Sequence, residues 1–149
     1  MSDDLTPALL LARGVGRLLA QQGFATLSEV SLANGRRADV MALGRGGEIV
    51  IVEIKSSVAD YRSDQKWREY RDFCDRFFFA VAADFPRALI PEDCGLIVAD
   101  PFGGAVLRES DAVLLPAARR RAMTLRFALV GAERLRRLID PSAEETLLL

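Results

Sequence analysis

The sequence contains no histidine. That absence removes Ser-His-Asp and Cys-His nucleophiles, His-ligated zinc or haem, and imidazole acid–base chemistry. Cysteine is nearly as scarce. Cys74 and Cys94 form no C-x-x-C pair and could make at most one bridge, which fits a reducing cytosol and argues against a zinc ribbon. No apolar run approaches the ~18 residues of a membrane span. The opening Met1-Ser2-Asp3-Asp4 is acidic where a secretory leader is basic, so a cytoplasmic protein without membrane contact is expected. Lysine occurs only at Lys55 and Lys66, against 18 arginines. Chemistry here must run on carboxylates, Lys, Arg, Tyr or a hard metal.

What is present is an ordinary globular composition: 149 residues, 50% hydrophobic, 28% charged, with a formal charge of −1. A chain of this size buries ~68–70% of its unfolded surface, enough for one domain over 1–149 without a disulfide or structural metal. Thr6-Pro7 followed by Leu9, Leu11, Val15, Leu18 and Leu19 predicts an amphipathic helix ending near Gln22, before Gly23. Thr26 to Leu32 reads as a strand, Asn34-Gly35 as a two-residue turn, and Arg37 to Leu43 as the returning strand. After Gly44-Arg45-Gly46-Gly47, the run Glu48 to Lys55 has the β-branched continuity of a central strand. Asp60 to Asp75 predicts a second helix with Trp67 and Tyr70 as core anchors at i, i+3. Phe77 to Ala82 and Gly95 to Asp100 read as buried strands around a Pro86–Pro91 connector, followed by a short strand Ala105 to Arg108. Pro116 opens a last helix carrying Ala118, Ala122, Leu125, Leu129 and Ala132 along one face. The order predicts an α/β protein with a mixed central β-sheet flanked by α-helices.

Alternation in the third strand puts Ile51, Glu53 and Lys55 on one face. Hairpin-like pairing brings Asp39 of the preceding strand to the same place. Two carboxylates and an ammonium converging on an apolar strand are poor for folding. They suit a hard cation that takes oxygen ligands and keeps its own waters.

Asp39 followed by Glu53-Ile54-Lys55 at the end of a hydrophobic strand resembles the PD-(D/E)XK nuclease superfamily, with Ala38-Asp39 in place of its Pro-Asp. The wider string resembles the bacterial MmcB family of DNA repair proteins: Gly35-Arg36-Arg37-Ala38-Asp39, Val52 to Ser57, Asp60, Asp64-x-Lys66-Trp67, Tyr70, Phe73-Cys74-Asp75, Pro91 to Asp100 and Arg119-Arg120-Arg121. The resemblance implies a restriction-endonuclease-like core in which Asp39, Glu53 and the Ile54 carbonyl hold Mg²⁺, with Mn²⁺ as a substitute. It further implies that Lys55 orients the attacking water and that DNA is the substrate.

Other residues carry two readings each. Lys66 either contacts a phosphate or the metal-bound water, as in similar nucleases, or is a solvated residue. Gln65 and Asp64 are weaker candidates for supporting the site, since only one turn of that helix can face it, and Glu29 either adds a carboxylate to the metal or behind its ligands or is an exposed strand residue. Arg36 and Arg37 either meet the DNA backbone or form turn salt bridges. Residues Ala117 to Ile139 hold seven Arg and one Glu, so Arg119, Arg120 and Arg121 either track phosphates or line a solvated face. The glycines of Gly14-x-Gly16 and Gly44 to Gly47 lack the lysine and hydroxyl of a P-loop, so no nucleotide cofactor is expected. The expected activity is Mg²⁺-dependent phosphodiester hydrolysis in bacterial DNA repair; the alternative is a DNA-binding repair accessory that does not cleave. With a net charge near zero, DNA contact must rely on local arginine stripes, on a homodimer that joins them, or on a repair-protein partner.

Overall fold

A computed structural model of the chain describes residues 5–142. Its elements are α1 (Pro7–Gln21), β1 (Phe24–Ser31), β2 (Arg37–Gly44), β3 (Ile49–Lys55), α2 (Val58–Ser63), a 3-10 helix (Trp67–Phe73), β4 (Arg76–Val81), β5 (Gly95–Asp100), β6 (Gly103–Arg108) and α3 (Ala117–Ile139). The six strands form one open mixed sheet in chain order. β1–β2, β2–β3 and β5–β6 are antiparallel, while β3–β4 and β4–β5 are parallel. This is the α/β class and the restriction-endonuclease-like layout expected, with helices on both faces.

β3 is buried at every position, as its unbroken β-branched run predicts. Val50, Val52 and Ile54 pack on α1 through Leu11, Val15, Leu18 and Leu19. α1 starts as the sequence indicates, with Pro7 in the first turn and the Thr6 hydroxyl accepting from the Leu9 N–H at 3.2 Å. Its Gly14 lies so close to the β5–β6 turn that a Cβ would fall 1.8 Å from the Asp100 carbonyl oxygen.

Ile49 and Ile51 face the opposite side, where an aromatic cluster covers the sheet. Trp67 and Tyr70 are the core anchors expected, stacking on Phe77 at centroid distances of 5.7 and 5.9 Å. Cys74 and Cys94 are buried free thiols, and burial pushes both up to about 12.

Two expectations are corrected. The Asn34-Gly35 hairpin has a three-residue loop: Gly35 N–H bonds to Leu32 O, Leu32 N–H bonds to Arg36 O, and Gly35 takes φ +82. The helix expected over Asp60 to Asp75 is two short pieces, because Asp64 leaves the helix (φ −127, ψ 102) and its carboxylate accepts from the Lys66 N–H. That local bond gives the backbone an alternative to the helix. Ala118, Ala122, Leu125, Leu129 and Ala132 lie along one face of α3 as expected, and that face is turned to solvent. α3 docks by its other side, through Met123, Phe127 and a set of arginines.

The central latch of α3 is Asp75, which is 1% exposed. Its carboxylate accepts from Ile49 N–H (2.8 Å) and Leu115 N–H (2.9 Å), and bidentately from Arg120 (2.7 and 2.6 Å). Burial alone would raise this carboxyl, but the Arg120 guanidinium and the two amides outweigh it and hold it at about 2. Arg126 donates to Ser31 O at 3.0 Å, and Arg134 donates to the carbonyls of Ser28 and Glu29. Among the described residues no helix is long and apolar enough to cross a membrane.

Candidate active site at the fork between β2 and β3

The β2–β3 ladder ends at the pair Val40–Val52. One step further the strands part, and side chains replace the ladder. Glu53 Oε1 accepts from the Asp39 N–H at 3.0 Å, and Asp39 Oδ2 accepts from the Ile54 N–H at 2.7 Å. In a strand, the N–H and C=O of one residue leave on the same side. The Ile54 carbonyl therefore points toward Asp39 as its N–H does.

Glu53 is 4% exposed, and its carboxyl is raised from the ordinary 4.5 to about 8, first by burial and then by repulsion from Asp39. The Asp39 carboxyl is also raised, again mainly by burial, even though the Ile54 amide and Lys55 oppose the shift. Lys55 is equally buried and lies beside both carboxylates, with Asp64 Oδ2 3.6 Å from its Nζ. Burial pushes the Asp64 carboxyl up, but the Lys66 amide and the Lys55 ammonium outweigh that and leave it lowered. Asp60 lies near enough to add to the rise of the Asp39 carboxyl; its own N–H donates to the Ser57 hydroxyl at 3.0 Å, and its carboxylate accepts from the Ser56 N–H at 3.2 Å. Tyr70 roofs the fork, donating its hydroxyl to Arg37 O at 3.0 Å, and burial followed by the charges of Glu53 and Asp39 raises its phenol.

Asp39, Glu53 and Lys55 are thus brought together as the strand alternation and the hairpin pairing predict, with the Ile54 backbone beside Asp39. No three acidic, cysteine or histidine side chains among the described residues enclose a metal by themselves. A divalent cation of the magnesium type is nevertheless commonly held by one or two carboxylates with its remaining positions filled by water. Two adjacent carboxylates, each with one oxygen committed to a backbone amide, together with an inward carbonyl form a donor set of that kind.

The family model of the MmcB-like DNA repair proteins matches residues 3–142. The chain belongs to the MmcB-like family. A solved structure of a protein of unknown function from Silicibacter pomeroyi is 42% identical to it, with a TM-score of 0.93, over 97% of this chain and 99% of that one. No curated protein matches.

In this MmcB-like chain the outer candidates are spread more widely than the inner four. Glu29 falls between the register pairs Ser28–Val40 and Val30–Ala38 with φ +50, and its exposed carboxylate reaches Arg37 at 3.8 Å. Gln65 turns away, donating to Tyr61 O at 2.7 Å. Arg36 is ion-paired to Glu69, whose carboxyl it lowers. Lys66 is exposed at the start of the 3-10 helix. Arg119 stacks on the Phe73 ring at 4.3 Å and donates to Asp72 O. Arg120 is committed to Asp75 and to Gly47 O (2.7 Å), which places it inside the fold. Arg121 is exposed beside Leu125. No local pattern singles out Asp75 in advance; its signals are its place in the Phe73-Cys74-Asp75 string of the family resemblance and its position as an acidic residue just before the run Phe77-Phe78-Phe79.

Proposed function

We propose that this MmcB-like protein is a divalent-metal-dependent DNA nuclease of PD-(D/E)XK type. One observation carries the reading: the two fork positions are acidic although an amide would serve the backbone equally well. Asn at 39 and Gln at 53 would accept the same N–H groups without like-charge repulsion or the desolvation of a carboxylate. A cation offsets both penalties, and it gives the choice of carboxylates a use.

In this reading Asp39, Glu53 and the Ile54 carbonyl hold Mg²⁺ or Mn²⁺. The chemistry such a cation supplies is a more acidic water and neutralisation of charge on the scissile phosphate. Lys55, held by Asp64, positions the attacking water and stabilises negative charge on the phosphate. Tyr70 fixes the β2 backbone at Arg37 and excludes water from the inner side. Arg37, Lys66 and Arg121 meet phosphates, while Arg36 is reached only by exchange with Glu69. A single site that cuts every sequence needs no base-edge contact, so phosphate positioning suffices for binding.

The test is a panel of nicked, flapped, branched, crosslinked and single-stranded DNA incubated with Mg²⁺, Mn²⁺ or chelator. The expected result is cation-dependent cleavage of at least one substrate, abolished in Asp39→Asn. Tight binding of a branched DNA with no cleavage under any cation would favour the accessory reading instead.

A further inference from the structure

The outward face of α3 is apolar and regular, and no described residue covers it. Ala118, Ala122, Leu125, Leu129 and Ala132 recur at alternating steps of four and three, the spacing of a coiled-coil seam, and Arg136 and Ile139 continue it. Leu125 and Leu129 are 54% and 51% exposed, and Leu114 and Ile139 at the two ends of the stripe are 78% and 76% exposed. A contiguous patch of this kind marks an interaction surface.

We infer that the stripe pairs with the same stripe of a second copy, antiparallel, about a two-fold axis that crosses α3 beside Phe127. The register follows from side-chain size. With the axis there, Leu125 meets the partner's Leu129, Ala122 meets the partner's Ala132, and Ala118 meets the partner's Arg136. Large residues face each other at the centre, small ones flank them, and the long arginine stem lies over an alanine with its head held by Glu133 of its own helix. Leu114 then lies near the partner's Ile139, so the exposed ends of the stripe cover one another. A two-fold contact uses the same patch on both copies, and a helix with this size order is self-complementary only when reversed. The parallel alternative sets Arg136 against Arg136 within the seam, and like charges brought together there repel.

The face offers about a dozen residues per copy, short of the ~20–30 of a standard interface, so the dimer is expected to be weak, with a Kd on the order of micromolar to tens of micromolar. It is independent of the chemistry proposed at the fork, because none of its residues belongs to that site.

Light scattering or sedimentation of the full chain from about 1 to 300 µM should show the mass rising toward that of two chains. Leu125→Arg with Leu129→Arg should stay monomeric while melting as wild type does, since both residues are already exposed. Mild oxidation should crosslink Ala122→Cys/Ala132→Cys into dimers but leave Ala122→Cys alone uncrosslinked, because two copies of residue 122 would lie ~15 Å apart along the antiparallel axis. The buried native thiols Cys74 and Cys94 provide an inert background. A mass of one chain throughout the range would overturn the proposal. So would an arginine double variant that dimerises normally, or efficient crosslinking of Ala122→Cys alone.

Discussion

Cation-free wild-type protein should lose stability as pH rises from about 5 to about 8, and Glu53 is the cause. Folding moves this carboxyl into a buried place beside Asp39 and raises it from 4.5 to about 8. Between those values the folded chain keeps a proton that the unfolded chain has released. A group raised on folding contributes fully below its unfolded pKa, and that contribution drains away as pH climbs to the folded value. The slope approaches ~1.4 kcal/mol per pH unit, and the full loss is on the order of 5 kcal/mol. That is a large share of the ~5–15 kcal/mol by which a domain is stable. Asp39 is raised as well and pushes the same way. The background is unusually clean, because a chain without histidine has no imidazole titrating in this window. Urea unfolding in chelator, repeated at each pH, reads the slope directly. Glu53→Gln keeps an acceptor for the Asp39 N–H and should flatten it. Added Mg²⁺ should stabilise wild type more at pH 8 than at pH 5, where it must displace a proton. A wild type equally stable across the window in chelator, or a Gln variant with an unchanged slope, would refute the reasoning.

Other expectations follow from the same geometry. Asp39→Asn should abolish cleavage yet leave the chelated protein as stable or slightly more so, since it keeps the bond to Ile54 N–H and removes a repelling charge; thermal melts in chelator would show it. Arg120→Gln should destabilise by about 3–5 kcal/mol, because it strands the buried Asp75 carboxylate, whereas Arg121→Gln should leave the melt unchanged and flatten the salt dependence of DNA binding by about one unit of log-log slope. On the acid side Asp75 has the opposite sign to Glu53. Held at about 2 against an ordinary 3.8, it stabilises above pH 4 and loses that effect as pH falls toward 2, which Arg120→Gln should abolish in acid titrations. Gly14→Ala should force α1 off the β5–β6 turn and lower the melting temperature, by a stability loss of about 1–3 kcal/mol or more.

The parts of this molecule that were legible in its residues are those governed by short-range period. β3 announced itself through seven buried positions in a row, and the two-residue period of a strand was enough to put Glu53 and Lys55 on one face. Asp39 could be joined to them because a short hairpin leaves little freedom of register. α3 was legible as a helix but not in its orientation. Its apolar stripe turns to solvent, while the side that docks uses guanidinium groups on carbonyls and on one buried carboxylate, partners contributed by β1, by Gly47 and by Asp75 from elsewhere in the chain. The break at Asp64 was hidden for a similar reason: a helical pattern of Tyr61, Trp67 and Tyr70 runs through it, and only the tertiary placement of Lys55 shows what the carboxylate faces when the helix stops. That placement also brought Asp64 to the fork, where it stands closer to Lys55 than its weak local signal suggested.

The arginine-lined underside of α3 also bears on solubility. β1 is an outermost strand of the sheet, and an outer strand with open carbonyls invites pairing with a foreign strand. Here the carbonyls of Ser28, Glu29 and Ser31 are stoppered by Arg134 and Arg126. A chain cut short before Arg126 would keep every strand and most of both apolar clusters, yet would leave that border open to copies of itself. Such a truncation should therefore fail by fibrous or amorphous self-association and not by simple unfolding. Arg134→Leu, which removes both donors to the β1 carbonyls, should move the intact protein part of the way in the same direction.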